Sequence, residues 1–96
     1  MSAGRVRYAR QVARDLRRLG LDAAQTRRRI ERALGDQEVA PNADDKPLRG
    51  RRPWRRLRLG DLRVIWREAT LDDQPLRLVA RIVRRGELEA AVRKLS

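Results

Sequence analysis

Apolar residues recur every three or four positions in the first third of the chain, the spacing of one face of an α-helix. The first stripe predicts an amphipathic helix over residues 9–19 that ends at Gly20, because glycine adopts the left-handed conformation of a helix C-terminus without strain. Its members are Tyr8, Val12, Leu16 and Leu19.

A second stripe follows Asp22, which together with Gln25 three residues later is typical of a capping box at a helix start. The stripe closes at Gly35, and the two helices with their tight turn predict a helical hairpin. Residues 36–47 are polar and rich in turn-forming residues, so we expect them to form a loop. The members of the second stripe are Thr26, Ile30, Ala33 and Leu34.

From Trp54 onward the apolar residues alternate with polar ones, which indicates strands. Alternating runs at 54–59, 62–68 and 76–84 are separated by turn-forming residues, and they predict an antiparallel meander. Residues 5–8 are a candidate for a further short strand.

Residues 87–95 place Leu88, Ala91, Val92 and Leu95 on one helical face, which predicts a short C-terminal helix. The predicted fold class is therefore α+β, with the helical hairpin packed on an antiparallel three- to four-stranded sheet. One domain spans residues 1–96, because a chain of this length holds a single modest core.

Alternation divides the strand side chains between two faces of the sheet. The apolar face, which the helices should cover, receives Leu57, Leu59, Leu62, Val64, Trp66, Leu76, Leu78, Ala80 and Ile82. The opposite face receives Trp54, Arg56, Arg58, Arg63, Arg67, Arg77 and Arg81. Solvent exposure explains polar residues there, but like charges facing each other on neighbouring strands are destabilising. Their presence favours a surface that binds a polyanion.

The charge of the whole chain points the same way. Its 96 residues include 25 Lys and Arg against 13 Asp and Glu, a formal net charge of +12. Such a charge attracts nucleic acid or an acidic protein. Arginine binds phosphate through paired hydrogen bonds, and only 3% of residues are aromatic, so phosphates are a better match than bases. A general preference for arginine would also raise the count, so the placement of the arginines carries more weight than their number.

The chain contains no Cys and no His, which excludes disulfides, thiolate nucleophiles, imidazole bases and zinc sites built from these residues. We expect no metal and no cofactor. The sequence also has no run of about 18 apolar residues and no apolar stretch after Met1. We therefore expect a cytoplasmic protein without a membrane partner.

The order of the motifs resembles the RelE/ParE superfamily of toxins from bacterial toxin–antitoxin pairs. The likeness covers nearly the whole chain and is most specific where a loop glycine is coupled to two strands and their turn. The segments that carry it are Lys46-Pro47-Leu48-Arg49-Gly50, Trp54-Arg55-Arg56-Leu57-Arg58-Leu59, Gly60-Asp61-Leu62-Arg63-Val64-Ile65-Trp66 and Leu78 to Arg85.

The RelE branch implies a metal-independent, ribosome-dependent endonuclease that cuts messenger RNA and inhibits translation. Its partners would be an acidic antitoxin, the ribosome and messenger RNA. By position, the resemblance assigns catalytic roles to Arg56, Arg58, Arg63 and Arg85. Other arginines of the basic stretch and the last strand are expected to bind RNA, namely Arg49, Arg51, Arg52, Arg55, Arg77, Arg81 and Arg84.

The chain departs from the RelE pattern in its proton-transfer groups. Leu88 stands where some members have a tyrosine, and arginine is a poor proton shuttle because its pKa exceeds about 12. Asp61 and Glu87 are candidate bases, but a turn at Asp61 and a helix start at Glu87 are the better explanations of these residues. These departures leave two alternatives open, a ParE-like inhibitor of DNA gyrase and a degenerate toxin that retains only antitoxin binding. The eight arginines among residues 48–68, against Asp61 and Glu68, favour RNA.

Overall fold

A computed structural model describes residues 5–35 and 39–95 of the chain. Its strands are β1 (Val6–Tyr8), β2 (Asp44–Pro47), β3 (Arg55–Leu59), β4 (Leu62–Leu71) and β5 (Gln74–Arg84). Its helices are α1 (Arg10–Leu19), α2 (Ala23–Leu34) and α3 (Leu88–Arg93), and a 3₁₀ turn at Arg85–Glu87 precedes α3. None of the helices in the described part of the chain is long and apolar enough to cross a bilayer.

The helical hairpin has the predicted boundaries. α1 ends at Gly20, which adopts the left-handed conformation at φ 68° and donates its N–H to the Arg17 carbonyl at 3.1 Å. α2 begins after Asp22, whose side chain accepts a hydrogen bond from the Gln25 N–H at 2.8 Å. These two local devices fix the turn, so the sequence pattern was sufficient to predict it.

The sheet confirms the α+β class but has five strands in the order β1-β5-β4-β3-β2. The expected three- to four-stranded antiparallel sheet is thus too small, and β1 runs parallel to β5. Residues 44–47, expected to be part of a loop, form edge strand β2 beside β3. Their polar side chains do not alternate with apolar ones, and ion pairs to β3 stabilise the strand instead. Residues 36–38 of the same expected loop lie outside the described residues.

The long hairpin of β4 and β5 contains one irregularity. It changes which face of the sheet the first side chains of β5 point to. Asp72 and Asp73 make the tight turn, with φ values of 52° and 63°. Further along, Ile65 pairs with Arg81 whereas Trp66 pairs with Val79, so Ala80 is an extra residue on β5.

Before this bulge along β5, every side chain therefore points to the face opposite the one expected. Val79, and not Leu78 or Ala80, joins the helix-covered core. Arg77 lies on that same covered face and is buried, which corrects its assignment to the open face.

The main core lies between the helical hairpin and one face of the sheet. It includes Val12 and Leu16 from α1, Ile30 from α2, and Trp66 from β4. The other face carries a smaller cluster of Ile65, Val83 and Ala91, against which Leu48, Trp54, Leu88, Val92 and Leu95 pack. The apolar stripe predicted for the C-terminal helix is thus in contact with the sheet, and α3 covers part of the face that was expected to be open.

Candidate functional site

Strand pairing brings three of the four proposed catalytic arginines to one face of the sheet, and the fourth, Arg85, lies in the 3₁₀ turn close enough for its charge to act on Arg63. Arg58 lies directly opposite Arg63 in the pairing of β3 with β4, and Arg56 lies opposite Ile65. Residues directly opposite in an antiparallel pair point to the same side. Arg85 follows the end of β5, and its N–H donates to the Asp61 carbonyl at 3.0 Å. We call Arg56, Arg58, Arg63 and Arg85 the arginine cluster.

Arg63 is at the centre of the arginine cluster. It is 6% exposed, and its guanidinium donates to the carbonyl oxygens of Gly60 and Leu62, both at 2.9 Å. Burial lowers the pKa of Arg63 below its ordinary value, and the charges of Arg58, Arg56 and Arg85 lower it further. A buried cation surrounded by three more is unfavourable in the free protein, and an anionic ligand would relieve that repulsion.

Two carboxylates act as counter-ions to the arginine cluster. Asp44 on β2 pairs with Arg56 at 3.0 Å and with Arg58 at 3.3 Å. The hydrogen bond from Arg56 lowers the pKa of Asp44, so this carboxyl group is ionised. Asp61 in the β3–β4 turn approaches Arg85 at 3.9 Å. Four cations against two anions leave the cluster positively charged.

Asp44 was not singled out from the sequence. Its role depends on the pairing of β2 with β3, which places Asp44 opposite Arg58. The only sequence signal was the acidic character of residues 36–47 beside the most basic stretch of the chain.

The proposed RNA-binding arginines separate into two groups. Arg49, Arg51 and Arg52 lie in the loop between β2 and β3, and Arg49 lines a shallow cavity of about 360 Å³ with Leu88 and Val92 of α3. Arg84 is exposed and pairs with Asp61 at 3.3 Å. These arginines are near the ends of the strands that carry the arginine cluster.

Arg55, Arg77 and Arg81 instead make structural contacts. Arg55 pairs with the buried Asp45 at 2.8 Å, and Arg77 donates to the Leu34 carbonyl at the end of α2. The guanidinium groups of both lie within 6 Å of the centre of the Trp66 ring on the helix-covered face. Arg81 pairs with Asp15 at 3.0 Å.

Two side chains that could transfer protons, Glu87 and Tyr8, are both poorly suited to do so. Glu87 accepts hydrogen bonds from Arg18 at 3.0 Å and from the Arg84 N–H at 3.1 Å. The bond from Arg18, followed by that from Arg84, lowers the pKa of Glu87, which makes it a poorer base. Tyr8 packs against the helix-covered core and donates to Glu31 at 2.7 Å. Burial raises the pKa of Tyr8 above its ordinary value, so it holds its proton.

The arginine cluster can therefore bind a phosphate and stabilise additional negative charge on it. Within residues 5–35 and 39–95, no group of three or more acidic side chains could hold a metal ion.

Comparison with known proteins gave a family match and several similar structures. A sequence model of the ParE toxin of the type II toxin–antitoxin system parDE matches residues 6–89. No curated protein matches the chain. The RelBE2 toxin–antitoxin complex of Mycobacterium tuberculosis is 27% identical with a TM-score of 0.54, over 84% of this chain and 90% of that one.

Two further solved structures share the fold at lower identity. The RelB–RelE antitoxin–toxin complex of Methanococcus jannaschii is 17% identical, has a TM-score of 0.61 and covers 88% of this chain and 95% of that one. A metal-bound toxin of Helicobacter pylori is 21% identical, has a TM-score of 0.62 and covers 92% of this chain and 99% of that one.

Proposed function

This chain belongs to the ParE toxin family of type II toxin–antitoxin systems, within the RelE/ParE superfamily, and we propose that it inhibits translation by cutting ribosome-bound messenger RNA. A toxin of this class has an antitoxin protein as its partner. Its activity as an endonuclease, and the ribosome and messenger RNA as further partners, are the proposal.

The observation that carries the proposal is the position of Arg63 among three other cations. RNA is cleaved when its 2′-oxygen attacks the adjacent phosphorus, a 2′,3′-cyclic phosphate forms and the 5′-oxygen leaves. The phosphorane transition state carries more negative charge on its non-bridging oxygens than the starting phosphate. We assign Arg63 and Arg85 to those oxygens. Arg56 and Arg58 then bind the neighbouring phosphates.

Asp44 regulates how readily the arginine cluster accepts RNA. Arg56 and Arg58 share its carboxylate in the free protein. A phosphate can take its place through bidentate bonds to the same guanidinium groups. The exchange replaces one anion with another, so binding costs less desolvation than it would for unpaired arginines.

The chain offers few side chains that could transfer protons during cleavage. Glu87 is held by two donors, and Tyr8 is on the opposite face of the sheet. The ribosome would compensate by holding the 2′-oxygen in line with the phosphorus, since ideal positioning supplies up to roughly 7–11 kcal/mol. The proposal therefore requires strong dependence on the ribosome.

The second candidate is inhibition of DNA gyrase without RNA cleavage. The match to the ParE family favours it, and so does the lack of histidine and cysteine in the sequence. A degenerate toxin that only binds its antitoxin is the third outcome of the same test.

The test uses the full chain made by cell-free synthesis, purified ribosomes programmed with a defined messenger RNA, and a gyrase supercoiling assay. We expect cleavage of the messenger within the decoding site and no effect on supercoiling. The Arg63→Ala, Arg85→Ala double variant should lose cleavage, whereas the matched Arg5→Ala, Arg93→Ala double variant should retain it. Inhibited supercoiling with intact messenger RNA would replace this proposal with the gyrase candidate, and no activity in either assay would leave the degenerate toxin.

A further inference from the structure

The outer surface of the helical hairpin carries a second concentration of arginines, separate from the sheet. Arg10, Arg14 and Arg17 are exposed and follow one another along α1. They lie opposite the buried side chains of that helix, Val12, Asp15 and Leu16. α2 adds the exposed Arg28 and Arg32, which also point away from the core. We call these five arginines the hairpin surface.

The hairpin surface has no counter-ions within the described chain. None of its five arginines makes an ion pair or a side-chain hydrogen bond with residues 5–35 or 39–95. The two acidic residues of α1 and α2 are engaged elsewhere, because Asp15 is buried with Arg81 and Glu31 accepts the Tyr8 hydroxyl.

The arrangement works against the stability of the helix. Arg10 occupies the first position of α1, where the partial positive charge of the helix dipole disfavours a cation, and the first turn has no acidic residue. Arg10 and Arg14 are four residues apart, as are Arg14 and Arg18, and like charges at this spacing repel. A helix face that served only to contact water would gain from alternating charges. The uniform sign indicates a ligand that supplies the negative charge.

The chemistry of the hairpin surface favours nucleic acid over an acidic protein. The buried centre of a protein interface is enriched in aromatic residues, Met and Arg. The hairpin surface offers arginine without the large apolar partners, since the exposed apolar neighbours of its arginines are small, as at Ala13 and Ala24. The one large apolar residue exposed in the described chain is Leu71 at the far β4–β5 turn. Interfaces with nucleic acid are polar and strongly positive.

The surface also favours a duplex over a single strand. Binding of single strands without sequence preference relies on aromatic rings that stack on bases. The hairpin surface has none, since Tyr8 packs against the core and bonds to Glu31. A row of arginines along about 10 Å of helix axis suits the regular phosphates of an RNA helix.

We propose that the hairpin surface binds the phosphate backbone of duplex RNA, so that the toxin contacts structured RNA with its helices while the arginine cluster holds the strand to be cut. The inference rests on the proposed function for its source of RNA, which is the helical RNA of the ribosome. It adds a second RNA surface on the opposite side of the sheet, independent of cleavage.

The test measures binding of a labelled 24-base-pair RNA duplex to the full chain as a function of salt concentration. The Arg10→Gln, Arg14→Gln, Arg17→Gln triple variant should bind about tenfold more weakly at low salt. Its slope of log affinity against log salt should fall by about 2–3, because each lost phosphate contact removes close to one counterion. The corresponding triple lysine variant should keep the slope, since it keeps the charge.

The matched control removes three charges elsewhere, as Arg5→Gln, Arg7→Gln, Lys94→Gln, all exposed positions. An equal loss in this control would overturn the proposal by showing that net charge alone drives binding. An unchanged duplex affinity in the hairpin triple variant, combined with weaker binding of polyglutamate, would overturn it in favour of an acidic protein. Thermal unfolding checks that the variants are folded. Failure of the proposed function can be told apart from failure of this inference. If the proposed function is wrong, messenger RNA stays intact on ribosomes, but binding of the RNA duplex can still be measured.

Discussion

At the scale of single residues, the pairing of Arg58 with Arg63 is the most informative contact in the protein. Like charges directly opposite on neighbouring strands destabilise a sheet by roughly 0.2–1 kcal/mol. Asp44 offsets part of this repulsion through Arg56 and Arg58. Arg63 itself bonds to backbone carbonyls and pairs with no carboxylate among the described residues, so its charge is not neutralised there.

Replacement of Arg85 should lower the rate of the proposed cleavage and leave the stability of the fold almost unchanged. Its side chain is 72% exposed and its nearest carboxylate is 3.9 Å away, so Arg85→Ala should change the free energy of unfolding by less than about 0.5 kcal/mol. The rate of messenger cleavage on ribosomes should fall by roughly 10²–10³, the usual cost of one stabilising donor. Arg85→Lys should recover part of the rate, because it keeps the charge but loses the paired donors. Chemical denaturation and single-turnover cleavage measure the two effects, and wild-type rates in Arg85→Ala would remove Arg85 from the site.

The pH dependence of stability should report on Glu87. Its pKa is lower in the folded protein than its ordinary value of 4.5, chiefly through Arg18. A lowered folded pKa means that the contribution is present above pH 4.5 and is lost as the pH falls through the folded value. Glu87→Gln should therefore be less stable than the wild type at pH 7, and this difference in stability should shrink as the pH falls below 4.5. Urea midpoints measured at pH 7 and at a series of lower pH values test this, and a difference that widens in acid would contradict it.

At the scale of elements, a buried ion pair attaches α1 to the last strand. Asp15 is fully buried, accepts two bonds from Arg81 at 3.0 and 3.2 Å, and accepts the Ile82 N–H at 2.9 Å. It thereby satisfies the backbone at a point of β5 beyond its pairing with β1. The same strand leads directly to Arg85, so the attachment also holds the end of the site.

Removal of one partner of this pair should be costly. Asp15→Ala should destabilise the protein by roughly 3–5 kcal/mol, because it leaves Arg81 and the Ile82 N–H without an acceptor. The double variant Asp15→Ala, Arg81→Met should recover part of the loss, since it no longer buries an unpaired charge. Thermal and chemical unfolding of both variants measure how strongly Asp15 and Arg81 depend on each other. The Asp22→Ala variant shows, for comparison, the cost of removing an exposed carboxylate. Equal stability of the two variants would show that the Ile82 bond, and not the ion pair, carries the effect.

At the scale of the whole molecule, basic surfaces lie on both sides of the sheet. The arginine cluster is on one side and the hairpin surface on the other, and together they account for nine of the 25 basic residues. Under the proposed function, this distribution of charge would let the molecule contact RNA on both sides of the sheet.

The dependence on that assembly is itself testable. Under the proposed function, free messenger RNA should be cut far more slowly than the same RNA on ribosomes, because the chain has no histidine or cysteine and positioning must supply several kcal/mol. Gel analysis of end-labelled RNA, with and without ribosomes, gives the ratio of the two rates. A ratio near one would show that the chain carries its own complete proton-transfer machinery.

Local signals were enough to predict the helical hairpin, the two long strands after Gly60 and the α+β class. Gly20 and Asp22 act within one turn of chain, and alternation along β3 and β4 assigned Leu57, Val64 and Trp66 correctly to the core. The meeting of Arg56, Arg58 and Arg63 on one face was predictable for the same reason, because their strands are adjacent and joined by a two-residue turn.

Only the tertiary structure decided which arginines are available to a ligand. One extra residue, Ala80, reverses the alternation over the first part of β5, and it moves Arg77 beneath α2, where it bonds to Leu34. β2 forms from a segment without apolar alternation, because ion pairs from Asp44 and Asp45 to β3 replace side-chain burial. A bulge and a cross-strand ion pair depend on register between segments distant in sequence. The chain by itself thus determined its helices, its three later strands and the sign of its surface charge, whereas strand register decided the pairing of β2 and which charges face solvent.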